Sequence, residues 1–215
     1  MRWLRNSLAV PPTARGISVK ATEKNETPAI HDSPALAEIL AALDPDRPVR
    51  VLDLGSALQT NLDFYANIAN GVRIVPLQRN DGLEGLQQLD AKGFSSRLDR
   101  LLPIGDETFG LVLMWDLLNY LVDEQPSLLA HHLAAITEHG ASIHVMIVTT
   151  KTMPTEPSRY ELLDGGRLAY RPTTRSHTTA PDPPPAMVER WLEPLRVERS
   201  FLLRHGVREF IAVNA

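Results

Sequence analysis

Two segments set the strongest limit on this chain: the continuous apolar run "TFGLVLMWD", Thr108 to Asp116, and the largely apolar "ASIHVMIVTT", Ala141 to Thr150. Each is far shorter than the roughly 20 residues a membrane helix needs. Neither shows the alternation of a strand with one wet face. Such runs read as strands buried on both faces, which occur where helices cover both sides of a mostly parallel sheet. The intervening "QPSLLAHHLAAITEHG" has helical spacing and a glycine stop, so the pair reads as a βαβ unit with a right-handed crossover.

The rest of the chain extends this pattern. In "SPALAEILAALDPD", Ser33 is placed to cap a helix and Pro34 to start it, with Leu36, Ile39, Leu40 and Leu43 on one face. Val49 to Leu54 is a short apolar strand, and Leu58, Leu62, Tyr65 and Ala69 then recur at helical spacing. "GVRIVPL" predicts a second strand, "GLEGLQQLDAKG" a helix ending at Gly93, and "SSRLDRLLPI" a short third strand. After the helix "PPAMVERWLEP", the segments "LRVERSFLLR" and "VREFIAVN" flank a two-residue turn, His205-Gly206, so they must pair antiparallel. The expected architecture is an α/β Rossmann-like domain over 33–215, with a mostly parallel seven-stranded sheet, helices on both faces and a C-terminal antiparallel hairpin. Residues 152–185 form a long polar excursion with Tyr160 and Tyr170, expected to cover the ligand side as a lid or binding loop. A packed excursion or a partner-binding surface are the other readings.

The composition excludes several classes of function. With 22 basic and 26 acidic residues and a net charge of −4, no broad basic face is expected for nucleic acid or an anionic membrane. Cysteine is absent, which removes disulfides, thiolate metal sites and a cysteine nucleophile. His131 and His132 are adjacent and point about 100° apart on a helix, a poor joint metal site, so no metal is expected. His144 lies within a buried strand and reads as a hydrogen-bonded core histidine, while His177 sits in the polar excursion. Residues 1–32 lack sustained apolar periodicity and read as a flexible arm with one docked turn around Trp3 and Leu4. A soluble, cytoplasmic protein is expected.

In order and spacing, these elements resemble the class I S-adenosylmethionine-dependent methyltransferases over roughly 50–214. "VLDLGSA" resembles that family's first motif, "LDRLLPIGDETFGLVLMWDLLNYL" its stretch through the fourth strand, and "RVERSFLLRHGVREFIAV" its closing pair of strands. The resemblance implies S-adenosylmethionine as cofactor. It places Asp53 and Gly55, with Ser56 and Ala57 of the same turn, beside the methionine part. It puts Gln78 at the ribose hydroxyls, Asp99 near the adenine amino group, and Met114 and Trp115 along the methyl-transfer site. Three positions depart from the pattern. Ala57 and Gln59 stand where further glycines would let the backbone approach a ligand. The neutral Gln78 replaces a carboxylate, which costs on the order of 1 kcal/mol of binding. Gly110 follows Phe109 where an aspartate is usual.

The turn also has a reading without a ligand. Ser56 with Gln59 matches a capping box, as does Thr60 with Asp63 more loosely. A helix start capped in this way still offers N–H groups to a carboxylate. Methyl transfer needs two reactants held at attack distance and water excluded, with a base only where the acceptor must lose a proton. Asp116, ending a buried strand, is the leading candidate for the reaction site; it also reads as a helix N-cap. Tyr120 is a second candidate, though it reads first as a core residue. The leading function is methyl transfer to an unknown small-molecule or protein acceptor, with Gly55→Val expected to abolish cofactor binding in a folded domain. The alternative is a methyltransferase-like binding or regulatory protein that has lost the cofactor. A nicotinamide dehydrogenase is disfavoured, because the first turn lacks the three-glycine fingerprint.

Overall fold

In chain order, the computed structural model, which describes residues 28–77 and 82–215, begins with β1 (Ala29–Asp32), α1 (Pro34–Ala42), β2 (Val49–Asp53), α2 (Gln59–Tyr65) and β3 (Ala69–Ile74). Next come α3 (Gly82–Gln87), α4 (Ala91–Leu101), β4 (Phe109–Trp115), a 3-10 turn (Leu117–Tyr120), α5 (Gln125–Ile136) and β5 (Thr137–Val148). Four short strands follow, β6 (Thr152–Pro154), β7 (Arg159–Leu163), β8 (Arg167–Arg171) and β9 (His177–Thr179), and the chain closes with α6 (Pro185–Leu192), β10 (Arg196–Leu202) and β11 (Val207–Val213).

The main sheet has six strands in the order β10-β11-β5-β4-β2-β3. β3, β2, β4 and β5 run parallel, and β11 and β10 close the edge antiparallel. Both segments are central strands, as their predominant hydrophobicity implies. Period-two alternation sends β4 side chains to opposite layers: Val112 and Met114 pack with α4, α5 and α6, whereas Leu111, Leu113 and Trp115 pack with α1 and the β7–β8 pair. Among the described residues no helix is long and apolar enough to cross a membrane.

Several expectations need correction. The third strand proposed from "SSRLDRLLPI" is helix α4, so the described sheet has six strands. Asp90 caps α4, its side chain accepting from the Gly93 N–H at 2.8 Å. Phe94 and Leu98 recur four apart on the buried face of this helix, a period that overrides the strand reading. The helix before β5 stops at Ile136, where Thr137 folds its hydroxyl back onto the Leu133 carbonyl, and not at Gly140. The closing hairpin turns through Leu203–Gly206, two residues more than expected. The 152–185 excursion is folded: β7 and β8 pair with each other and with β1, and β6 pairs with β9. β1 was assigned to the flexible arm, of which 1–27 lie outside the described residues.

Ser33 caps α1 as expected, accepting from the Leu36 N–H. Its hydroxyl also donates to the buried Glu209 of β11. Burial pushes Glu209 up, but His144, the Ser33 hydroxyl and the Ala35 N–H more than offset this and hold its carboxyl below the ordinary range. One capping residue thus ties the first helix to the last strand.

Candidate functional site

The carboxyl ends of β2 and β4 lie side by side, and the side chains there interlock. Asp53 ends β2 wholly buried. Its Oδ1 accepts from the Gly55 N–H (2.8 Å) and from Trp115 Nε1 (2.6 Å), and its Oδ2 accepts from the Tyr65 hydroxyl (2.6 Å). Burial raises the Asp53 pKa, and these donors pull against that shift without cancelling it.

Trp115 adopts φ 52°, a left-handed backbone that a bulky residue rarely takes, and the register of β4 against β5 shifts between Leu113 and Trp115. The indole is thereby laid over Gly55. A β-carbon on Gly55 would come within 2.6 Å of both Trp115 Cδ1 and Nε1. The glycine therefore makes room for a tryptophan, in the place where the resemblance put the methionine part of a cofactor. The other side of the indole meets Tyr160 of β7, stacked at 5.3 Å with 8° between ring planes.

Tyr160 carries the arrangement to Asp116. Its hydroxyl donates to Asp116 Oδ2 (3.0 Å), which also accepts from the Ser158 N–H (3.2 Å). Asp116 Oδ1 is buried with no partner. Asp116 stands at the N-cap position of the 3-10 turn without capping it. Asn61 clamps β7 down from α2, donating to the Tyr160 carbonyl (2.9 Å) and accepting from the Leu162 N–H (2.8 Å). Asn119 ties the ends of β4 and β5 together, donating to the Asp116 and Met146 carbonyls and accepting from the Val148 N–H.

Burial lifts the Asp116 pKa to about 6, with the Ser158 N–H and Tyr160 hydroxyl opposing the rise. Because the folded pKa exceeds the unfolded one, the contribution to stability is full below the ordinary carboxylate pKa and is lost as pH rises through about 6. The shift corresponds to about 3 kcal/mol. Denaturant unfolding of the wild type and of Asp116→Asn should therefore show a difference that titrates. Between about pH 4 and pH 7.5 the wild type should lose about 2 kcal/mol relative to the variant. A difference independent of pH would refute the assignment.

The remaining candidates are placed as follows. Met114 points into the opposite layer. Ser56 and Ala57 lie in the turn before α2, whose N-cap is Leu58 with no side-chain cap, so the Ser56–Gln59 capping box does not form; Gln59 pairs with Asp63 instead. Tyr120 is buried, its hydroxyl donating to the Pro154 and Glu156 carbonyls, so it anchors β6. Asp99 rides on α4 beside His132 of α5, at 3.7 Å, and is not brought to the Asp53–Asp116 group. Gln78 lies outside the described residues. His144 is the core histidine expected, 3.4 Å from Glu209. Asn61 and Ser158 were missed, because their partners lie 99 and 42 residues away and no local pattern announces them.

Beneath β7 and β8 a cavity of about 370 Å³ reaches Asp116, Ser158, Tyr160 and Tyr170. A larger depression of about 590 Å³ opens at the other end of the parallel strands, around Val49, Gly110 and Ser142. No unpartnered buried side-chain atom lines that one, so the candidate site is the smaller cavity.

No protein-family model matches the chain, and no curated protein does. Among solved structures, the glycopeptide N-methyltransferase MtfA, complexed with S-adenosylhomocysteine, is 16% identical over 85% of this chain and 90% of its own, with a TM-score of 0.47. The CcbJ methyltransferase from Streptomyces caelestis is 14% identical over 84% and 94%, with a TM-score of 0.47. The Burkholderia thailandensis 1,6-didemethyltoxoflavin-N1-methyltransferase is 14% identical over 82% and 74%, with a TM-score of 0.43. Likenesses this remote decide nothing about chemistry, and the fold stands on its own strand order.

Proposed function

We propose that this chain is an S-adenosylmethionine-dependent methyltransferase in a closed arrangement, with a small-molecule acceptor taken into the cavity beneath β7 and β8. The observation that carries the reading is that Asp53, the last residue of β2, is bonded to Trp115, the last residue of the adjacent β4, with Gly55 just past the first strand and Asp116 just past the second. Ligands of open parallel sheets bind outside these carboxyl ends. The residues do not fit the cofactor as they now stand, because the Trp115 indole fills the space over Gly55. Entry requires that ring to leave.

When bound, the cofactor would supply an electrophilic methyl group. The chain's own contribution is easier to specify. Tyr160 excludes water, and Asp116, with a pKa near 6, is suited to accept a proton from an acceptor near neutral pH. Displacing the indole breaks its bond to Asp53 and its stack on Tyr160, together about 2–3 kcal/mol. That penalty should weaken cofactor binding on the order of 30- to 100-fold.

The same ring favours a second reading, a methyltransferase-like binding or regulatory protein without the cofactor. Calorimetric titration with S-adenosylmethionine and S-adenosylhomocysteine separates the two. Under the first reading the wild type binds weakly and Trp115→Ala binds at least tenfold more tightly. Absence of heat from both folded proteins at about 1 mM ligand would leave only the second.

A further inference from the structure

Among the described residues, three buried side-chain atoms have no hydrogen-bond partner: Asp116 Oδ1, Ser158 Oγ and His144 Nδ1. Asp116 and Ser158 line the same cavity, and they are only 2% and 6% exposed. A carboxylate oxygen shut away from water without a donor is costly, and it retains the capacity to accept a bond from a ligand. The other buried carboxylate in the wall, Glu209, has both oxygens engaged, by Ser33, His144 and Ala35. The Ser158 hydroxyl is close enough to favour the charged form of Asp116, yet makes no hydrogen bond of proper geometry with it.

The charge of the wall indicates the kind of ligand. Asp32, Asp116 and Glu209 line the cavity, and no Lys or Arg among the described residues does. Three histidines also line it, His177 and the pair His31 and His205, which stack at 3.9 Å; burial, followed by the neighbouring His31, lowers the His205 pKa. No group of three or more His, Cys, Asp or Glu among the described residues is arranged to hold a metal. Tyr160 and Tyr170 add aromatic surface, which attracts cations as well as apolar groups. A volume of about 370 Å³ falls at the lower end of small-molecule pockets.

We propose that this cavity is a binding site for a small protonated amine, held by the Asp116 carboxylate, whose Oδ1 turns out from its closed position to accept from the ammonium, and met by the Ser158 hydroxyl. The amine then supplies the donor the buried carboxylate lacks, and its carbon skeleton rests against Tyr160 and Tyr170. The site does not depend on S-adenosylmethionine. If methyl transfer does occur here, the bound nitrogen is the acceptor class once it has passed a proton to Asp116 and freed its lone pair; if it does not, the site remains an amine receptor.

The test uses the full chain without cofactor, titrated near neutral pH with benzylamine, with cyclohexylamine and with the neutral isostere benzyl alcohol. Binding is read by calorimetry and by shifts of backbone amide resonances. Both amines should bind, and benzyl alcohol at least tenfold more weakly than benzylamine. The amide signals of Ser158 and Tyr160 should move. Asp116→Asn should weaken benzylamine at least 30-fold and leave benzyl alcohol unchanged, and Ser158→Ala, which keeps the carboxylate, should weaken benzylamine a few-fold. Should Asp116→Asn fail to fold, the alcohol comparison and Ser158→Ala decide alone. Equal affinity for alcohol and amine, unchanged amine binding in a folded Asp116→Asn, or no binding of either amine at about 10 mM would each overturn the site. S-adenosylmethionine is absent throughout, so failure here leaves the methyl-transfer reading standing, and failure of that reading leaves the site.

Discussion

Gly55→Val should unfold about 5–10 °C below the wild type, a loss of about 2–3 kcal/mol. In a ligand loop open to solvent, the same substitution would block binding and leave stability nearly untouched. Here a β-carbon would meet the Trp115 ring at 2.6 Å and Asp53 Oδ1 at 3.0 Å. The ring cannot yield easily, since Tyr160 stacks on it and Asp53 holds its Nε1. Thermal and urea denaturation measure the loss. A double-mutant cycle with Trp115→Ala assigns its cause, because the valine should cost much less once the indole is gone. An equal cost in both backgrounds would show that Gly55 accommodates something other than this ring.

Asp53→Ala should be more damaging, at about 4 kcal/mol. It strands three donors at once: the buried Tyr65 hydroxyl and Trp115 Nε1, and the half-buried Gly55 N–H. Asp53→Asn should cost less than half as much, because its carbonyl oxygen can still accept from Trp115 and Gly55 while its amide donates to Tyr65 acting as acceptor. Urea unfolding of both variants checks the order. If alanine and asparagine cost the same, the carboxylate is not organising these donors.

These expectations differ from those the sequence raised, and the reason lies in particular residues. "VLDLGSA" identifies a strand end and a tight turn, and both exist. It does not reveal what fills the space above Gly55, because Trp115 lies 60 residues further on and reaches that space only through a left-handed φ at the end of β4. Asp53 and Asp116 are legible as polar residues ending buried strands. That Asp53 is saturated and Asp116 half-satisfied depends on Tyr65, Tyr160 and Ser158, which no local spacing brings together. Tyr160 was legible only as part of a cover over the site, and Asn61, which fastens that cover, not at all.

The mistaken third strand has a different origin. "FSSRLDRLL" offers both a strand-like apolar cluster and a helical period, and the Asp90 cap with burial against α5 settles it as helix. In so short a window, local preference is a weak prior that packing overrides.

By itself the sequence determined the parallel centre of the sheet, its helical layers and its antiparallel edge. Each of these follows from short-range periodicity, which a linear pattern records directly. Only the tertiary structure decided that a tryptophan occupies the expected ligand crevice and that a carboxylate with one unpaired oxygen borders a cavity nearby. Both depend on hydrogen bonds and ring contacts between residues tens of positions apart, and such contacts exist only once the chain has closed on itself.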